Sequence, residues 1–385
     1  MGNALDRPLE GPPLVEMARG RGSATVVVPD ATRKASLPDV LPVVLDRLRQ
    51  AGIEETGITV LVANGTHPAS GTAGLAQLLG SIPSSVNVLE HDSRSSDLVR
   101  VGELRPGIPV HLHRSAVETD CLITLGTVRH HYFAGFGGGP KMVFPGIAGY
   151  REIQANHGLV LDISGDRPVR HPGCEPGVLD GNPVADEIHR TALLRPPDLS
   201  LCLVEGREGG VAWATAGAWA DAFDSVVERV RSWFEVSAEP RFDFMVAGGG
   251  GAPADTTLIQ AHKALDAACR FLEPDGELLW MASLDGGLGS AEMTPFVDEP
   301  QPAAILDRLA DGWVQYGHTT LRILEKTQRH RVHLHSCFDS DTAIRLGFEP
   351  IVDPESVVNR WREQNHGARV GVMAAGNVFP RLAGP

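Results

Sequence analysis

Residues 121–146 read CLITLGTVRHHYFAGFGGGPKMVFPG, and these residues carry the clearest indication of the fold class. Its first five residues are apolar or β-branched, which predicts a buried strand over residues 121–125. The segment that follows is rich in glycine, whose small size lets backbone N–H groups approach a bound anion. These glycines are Gly135, Gly137, Gly138 and Gly139. A strand that runs into such a loop is typical of phosphate sites in α/β proteins.

Further short strands precede this stretch in the chain. We predict strands over 24–28, 58–62 and 86–89, and a helix with 3.6-residue spacing over 37–50. This alternation favours an α/β fold with a mainly parallel sheet. Ligands of such sheets bind beyond the carboxyl ends of the strands, and the candidate residues described below fall at those ends.

The same order of elements returns in the second half of the chain. The elements predicted there are a strand over 242–247, a glycine turn at 248–251, a helix over 257–272 and a strand over 278–281. We therefore predict two α/β domains with mainly parallel sheets, over residues 1–238 and 241–385, with an active-site cleft between them. A final strand-like run at 370–374 is compatible with either domain.

The charge of the chain limits its partners. A formal net charge of −14 without any run of Lys and Arg argues against a nucleic-acid or anionic-membrane surface. No segment has the apolar length of a membrane span or a secretory signal, and the five cysteines form no CxxC pair, so we expect a cytoplasmic protein. Any anionic ligand has to be met by a local group of basic residues.

Lysine is rare in this chain. The 34 basic residues include only Lys34, Lys141, Lys263 and Lys326 as lysines. Lys141 ends the glycine-rich loop, His131 opens it, and His157 closes the helix-like segment that follows. Pro140 before and Met142 after the lysine do not provide the glycine and the hydroxyl that a Walker A loop needs. The position of Lys141 therefore favours amine chemistry over nucleotide hydrolysis.

Two more candidates follow neighbouring strands. His67 lies just beyond the strand predicted over 58–62, where a short loop aims an imidazole at the crevice, so it is a candidate acid or base. Arg33 follows the first strand, where its guanidinium fork suits a carboxylate or a phosphate, while Asp30 fixes the loop.

A last candidate pair lies in the second half of the chain. Gln260 and Lys263 are three residues apart in the predicted helix and share one face of it. A solvated helix face is the usual explanation for such a pair, a plain turn explains Arg33 at least as well as a binding role, and a packed turn histidine is slightly favoured for His67 when its loop is taken alone.

His131, Lys141 and His157, in this order and spacing, resemble the lactate racemase family, together with the glycines before the lysine and Pro145-Gly146 after it. The resemblance extends over nearly the whole chain. Members of the family carry a nickel-pincer nucleotide, Ni(II) pyridinium-3-thioamide-5-thiocarboxylic acid mononucleotide. The resemblance implies that Lys141 binds this cofactor through a thioamide and that His157 is a ligand of the nickel. The positions that match the cofactor loop are Gly137, Gly138 and Gly139.

The resemblance also implies an isomerase, a racemase or epimerase that inverts C2 of a 2-hydroxy acid by proton-coupled hydride transfer. His67 and His131 match the two catalytic bases, and Arg33, Gln260 and Lys263 match substrate contacts. The implied partners are a small 2-hydroxy acid and the proteins that make the cofactor and insert nickel. Lactate, malate, aromatic hydroxy acids and sugar acids all stay open as substrates.

Two other functions are compatible with parts of the sequence. A phosphate-binding protein of the NTPase or kinase type would use the loop from Gly135 to Lys141, and it would depend on a nucleotide and Mg²⁺. A carrier of nickel or of the cofactor would need Lys141 and His157 but not the two candidate bases His67 and His131. The presence of both histidines favours an enzyme.

Overall fold

The computed structural model describes residues 2–31, 33, 35–206, 209–364 and 366–381. The chain divides into two compact units. The first unit contains Met1–Val160 and His171–Val230, and the second contains Leu161–Arg170 and Arg231–Pro385. The division therefore falls inside the helix Trp219–Phe234, eight residues before the predicted end of the first domain at residue 238. In addition, the ten residues Leu161–Arg170 from the first half of the chain group with the second unit.

The strands and helices follow in chain order. The strands are β1 (Ala24–Pro29), β2 (Ile58–Ala63), β3 (Asn87–Glu90), β4 (Leu98–Arg105), β5 (Ile108–His113), β6 (Cys121–Thr127), β7 (His130–His131), β8 (Gly135–Phe136), β9 (Leu161–Asp162), β10 (Val169–Arg170), β11 (Leu199–Glu205), β12 (Val211–Gly217), β13 (Glu235–Val236), β14 (Phe242–Gly248), β15 (Leu272–Met281), β16 (Arg331–His335), β17 (Glu349–Pro350), β18 (Val370–Met373) and β19 (Phe379–Pro380). The helices are α1 (Gly2–Asp6), α2 (Leu14–Ala18), α3 (Leu37–Gln50), α4 (Gly71–Leu79), α5 (Arg114–Glu118), α6 (Tyr150–His157), α7 (Pro183–Ala192), α8 (Trp219–Phe234), α9 (Leu258–Cys269), α10 (Thr294–Asp298), α11 (Pro302–Asp311), α12 (Gly317–Arg329), α13 (Ser340–Arg345) and α14 (Pro354–Gln364).

The first unit is built on a sheet with the strand order β12-β11-β6-β1-β2-β3. All neighbouring strands in it are parallel except β11 and β12. Its central strands are buried, and their side chains form a core with the apolar face of α3, represented by Val40, Leu41 and Val44. Burial on both sides explains why these strands read as continuous apolar runs in the sequence.

The second unit contains a parallel sheet with the order β17-β16-β15-β14-β18. On one face Trp361 stacks on Phe244, with ring centroids 4.7 Å apart. Because β18 pairs with β14, the final strand-like run belongs to this second sheet. The predicted α/β class with mainly parallel sheets is confirmed. The antiparallel hairpin of β4 and β5 was not predicted.

Strand register in the first sheet places three loops side by side. Pro29 of β1 pairs with Ala63 of β2, and Val27 pairs with Thr124 of β6, so the strands end at nearly the same level. The chain that leaves β1, β2 and β6 therefore emerges at one edge of the sheet. This edge carries the segments in which the sequence predicts most of its candidate residues.

The glycine-rich loop folds tightly against its own strand and against α8. A Cβ at Gly138 would lie 2.6 Å from the carbonyl oxygen of Thr127, and one at Gly139 would lie 2.2 Å from the ring of Phe223. Both glycines have positive φ angles, of 74° and 51°. Glycine is therefore required at these two positions by the packing of the protein itself.

We expect Gly139→Ala to lower the free energy of unfolding by about 2 to 4 kcal/mol, because the new methyl group overlaps the Phe223 ring at an unfavourable φ. Gly137→Ala is the matched control, since the nearest atom to its Cβ is the Arg129 carbonyl oxygen at 3.8 Å. Urea denaturation of both variants measures the difference. Equal stability of the two variants would contradict this account of the loop.

Candidate functional site

His67 lies in a turn just beyond β2, in which its N–H donates to the Asn64 carbonyl oxygen at 2.9 Å. Its ring Nδ1 is 3.0 Å from Oδ2 of Asp30, which follows β1 and is 7% exposed. A carboxylate only accepts hydrogen bonds, so Nδ1 carries a proton and Nε2 becomes the basic atom of the neutral ring. Asp30 therefore orients the imidazole and fixes its tautomer.

The loop that carries His67 is tied to its neighbours on two sides. The Asn64 side-chain amide donates to the His91 carbonyl oxygen at 3.1 Å, and the N–H of Gly65 donates to the Gly146 carbonyl oxygen at 2.9 Å. Glu90, at the end of β3, accepts from the N–H of Ser70 at 2.6 Å. These bonds hold the His67 loop between β3 and the end of the glycine-rich stretch.

His131 presents a different nitrogen to its surroundings. It lies in the short hairpin of β7 and β8, where the Ala134 N–H donates to its ring Nδ1 at 3.2 Å. In a neutral ring the proton therefore resides on Nε2, which acts as a donor. The neutral imidazoles of His67 and His131 thus offer opposite hydrogen-bonding roles at Nε2.

The buried ring of Phe133 brings three of the predicted residues together. Its centroid lies 4.7 Å from the ring centroid of His131, 5.1 Å from that of His157 and 5.6 Å from Nζ of Lys141. The fully buried Asn182, which caps the N-terminus of α7, donates to the Phe133 carbonyl oxygen at 2.9 Å. The cap thereby fixes the backbone that carries this ring.

Burial and neighbouring charges set the protonation of Lys141 and His157. Burial, helped by the positive charge of Arg33, lowers the pKa of Lys141 to about 7. Burial, followed by the charge of Lys141, lowers the pKa of His157 to about 3, with a smaller contribution from His67. The site therefore holds a neutral imidazole at physiological pH and an amine that is about half deprotonated near pH 7.

Arg129 is a member of this site that the sequence did not reveal. It follows β6, two residues before His131, and its carbonyl oxygen accepts from the N–H of Gly137 at 2.8 Å. Burial, followed by the charge of Arg33, lowers the pKa of Arg129 to about 10. Arg33 itself lies in the turn beyond β1, with its N–H donating to the Asp30 carbonyl oxygen at 3.0 Å. Proximity in sequence to His131 was the only available signal.

The predicted pair on α9 lies in the second unit. Lys263 Nζ donates to Oε1 of Gln260 at 2.6 Å, so the two side chains share one helix face as their spacing requires. Next to them, His262 is buried, and burial, followed by the charge of Lys263, lowers its pKa to about 3.

Two other kinds of site are absent from the described part of the chain. No group of three or more His, Cys, Asp or Glu residues is arranged to hold a metal ion there. None of the helices within the described ranges combines the length and the apolar character that crossing a bilayer demands.

The comparisons with known proteins agree on one family. The model of the lactate racemase N-terminal domain matches residues 1–167. The lactate racemase of Lactiplantibacillus plantarum is 29% identical over 94% of this chain and 81% of its own length. That of Thermoanaerobacterium thermosaccharolyticum is 27% identical over 80% of this chain and 70% of its own length.

Solved structures share the fold. The lactate racemase apoprotein from Thermoanaerobacterium thermosaccharolyticum superimposes with a TM-score of 0.87 at 23% identity, covering 99% of this chain and 91% of that one. A protein from Thermotoga maritima superimposes with a TM-score of 0.71 at 17% identity, covering 96% of both chains. These comparisons confirm the resemblance to the lactate racemase family that the sequence predicts.

Proposed function

We propose that this protein is an isomerase that inverts C2 of a 2-hydroxy acid. The observation that carries the proposal is the grouping of His131, Lys141 and His157 around the Phe133 ring, at the sheet edge where His67 is held by Asp30. The two curated relatives are named as lactate racemases, which supports the same class of reaction.

The residues present fit a nickel-pincer nucleotide. A neutral imidazole is the form that ligates a metal, and the low pKa of His157 keeps its ring in that form. A neutral amine is the nucleophilic form that becomes acylated, and Lys141 reaches this form near pH 7. We propose that Lys141 holds the cofactor covalently and that His157 ligates its nickel, while Gly137, Gly138 and Gly139 line the same loop. Such a group would supply the hydride acceptor that inversion at C2 requires and that no protein side chain provides.

The two histidines divide the proton chemistry between them. Nε2 of His67 is placed to take the proton of the substrate hydroxyl, and Asp30 stabilises the imidazolium that results. The proton that completes the new hydroxyl group is proposed to come from Nε2 of His131 as an imidazolium, and in the reverse direction Nε2 of the neutral ring is the base. Both steps require a proton on Nδ1 of His131, which then has to release the Ala134 N–H.

Positive charge suits an anionic substrate in this acidic protein. Arg33 lies close enough to Arg129 and to Lys141 for its charge to lower the pKa of each of them. We propose that Arg33 binds the carboxylate next to C2. Gln260 and Lys263 are proposed as further substrate contacts, which the family resemblance implies.

The alternatives account for less of the site. An NTPase or kinase requires a residue that binds Mg²⁺ at the position of Met142, which has no hydroxyl. A cofactor carrier has no use for a buried Asp30 carboxylate that orients His67. The proposed cellular setting is the cytoplasm, with cofactor-synthesis and nickel-insertion proteins as partners. All five cysteines are free thiols, which suits a reducing compartment.

We expect His67→Ala and His131→Ala each to lower kcat for racemisation by about 100-fold or more, the usual contribution of a positioned acid or base. Chiral chromatography of lactate and malate, with circular dichroism as the check on folding, measures the effect. His130→Ala is the matched control, because its ring packs on Phe136 beside the site. Full activity in either variant removes that histidine from the mechanism.

Lys141→Ala is expected to abolish covalent cofactor. Intact-mass spectrometry of protein co-expressed with the cofactor-synthesis proteins should show the mass of the nucleotide on the wild-type chain and on Lys263→Ala, but not on Lys141→Ala. An adduct of equal abundance in Lys141→Ala places the attachment elsewhere and refutes this part of the proposal.

The amine of Lys141 is expected to titrate near pH 7 in the folded, unloaded protein, because burial and Arg33 disfavour its charged form. Competitive acetylation at a series of pH values, read by peptide mass spectrometry, measures this pKa. The same lysine in urea serves as the control and should titrate near its ordinary value of about 10.4. Arg33→Gln should move the folded value upward, and an unchanged value near 10 in the native protein would contradict the site's electrostatics.

A further inference from the structure

Arg33 and Arg129 lie at the carboxyl edge of the first sheet and differ from other arginines of this chain that are shielded from solvent, which pair with carboxylates. Arg105 is 3.0 Å from Glu187, and the buried Arg322 is 2.6 Å from Asp266. Among the described residues, no hydrogen bond or ion pair is made by the guanidinium of Arg33 or of Arg129. Arginine is rarely left half-buried without an anion, because the lost hydration is then not replaced.

The neighbourhood of Arg129 contains charge of both signs. It follows β6, which lies between β1 and β11 in the sheet, so Asp30 and Glu205 flank it at the ends of those strands. Both carboxylates favour its charged form, while Arg33 disfavours it. Asp30 is already engaged with His67. The two carboxylates offset the charges of the two arginines, but among the described residues neither of them forms an ion pair with Arg129, so the N–H donors of its guanidinium are left for a ligand.

Two anionic groups are needed to satisfy both arginines. In the proposed function, Arg33 binds the substrate carboxylate next to C2. Acylation of Lys141 removes the charge of that amine, so it contributes no cation to the loaded enzyme. Arg129 is then left for a second acidic group, and a guanidinium fork binds a carboxylate with two parallel hydrogen bonds.

We propose that Arg129 binds the distal carboxylate of the substrate, and that this protein prefers a 2-hydroxy dicarboxylic acid, such as malate, over lactate. The inference rests on the proposed function, which it narrows to one class of substrate. Arg129 is two residues from His131, so an anion held by its side chain lies on the same loop as a candidate base.

The kinetic test compares malate with lactate in the cofactor-loaded enzyme. We expect wild type to have the higher kcat/KM for malate, and Arg129→Gln to lose about 10- to 100-fold on malate but less than about 3-fold on lactate. Arg129→Lys keeps the positive charge but lacks the two parallel donors of the guanidinium, so its kcat/KM for malate should lie between those of wild type and Arg129→Gln. Arg151→Gln, at an exposed position on α6, is the control and should change neither substrate.

A binding test separates this inference from the proposed function. Calorimetry with succinate, which has no hydroxyl to react, should show binding to the wild-type protein and at least about 10-fold weaker binding to Arg129→Gln. Arg129-dependent succinate binding without turnover of any hydroxy acid would support the anion site and refute the racemase. Turnover of lactate without Arg129-dependent binding of succinate would overturn the inference and leave the racemase.

Two other outcomes also overturn the inference. An equal loss on malate and lactate in Arg129→Gln would mean that Arg129 binds the carboxylate common to both. A lower fraction of protein carrying the cofactor mass in Arg129→Gln would mean that the arginine holds the phosphate of the nucleotide instead.

Discussion

The site depends on how closely the glycine-rich loop approaches β6 and α8. Gly138 and Gly139 pack where a methyl group would overlap Thr127 and the ring of Phe223, and only this approach lets the chain turn back into the short 3₁₀ turn that carries Lys141. The glycines of the loop resemble a phosphate cradle in the sequence, yet two of them are required for packing. Their first role is to let the loop pack closely enough to bury Lys141.

The burial of Lys141 by this loop determines the electrostatics of the site. Burial disfavours the charged forms of Lys141 and His157, and the positive charge of Arg33 acts on both Lys141 and Arg129. A chain with a net charge of −14 therefore brings Arg33, Arg129 and Lys141 together at one edge of its sheet. Ionisable groups with shifted pKa values that lie together in this way are more typical of a functional site than of a structural cluster.

The periodicity of apolar residues was sufficient to predict the bounds of the buried strands and of α3. The helix predicted over 37–50 is observed as Leu37–Gln50, and the strands predicted at 24–28 and 58–62 each extend one residue further. The antiparallel edge strand β12 escaped prediction because only its last three residues are buried, so it has no continuous apolar run. The grouping of Leu161–Arg170 with the second unit depends on tertiary contacts that a local pattern does not encode.

The candidate site also contains residues that the sequence predicted and residues that it did not. The order of His131, Lys141 and His157 was visible in the sequence because each follows a strand or closes a helix. The role of Arg129 was not visible, because its charge matters only once β1 and β11 flank β6. The difference between the two candidate bases was also hidden, since it arises from the Asp30 carboxylate on one ring and the Ala134 N–H on the other.

That difference bears directly on the proposed reaction. Inversion at a carbon that passes through a planar 2-oxo acid needs a proton acceptor on one side and a proton donor on the other, with the roles exchanged in the reverse direction. In the proposed reaction, Asp30 makes the acceptor role of His67 the resting one, whereas His131 takes either role only with a proton on Nδ1, after giving up a bond from its own hairpin. The hairpin of His131 is therefore the element that has to change during the proposed reaction.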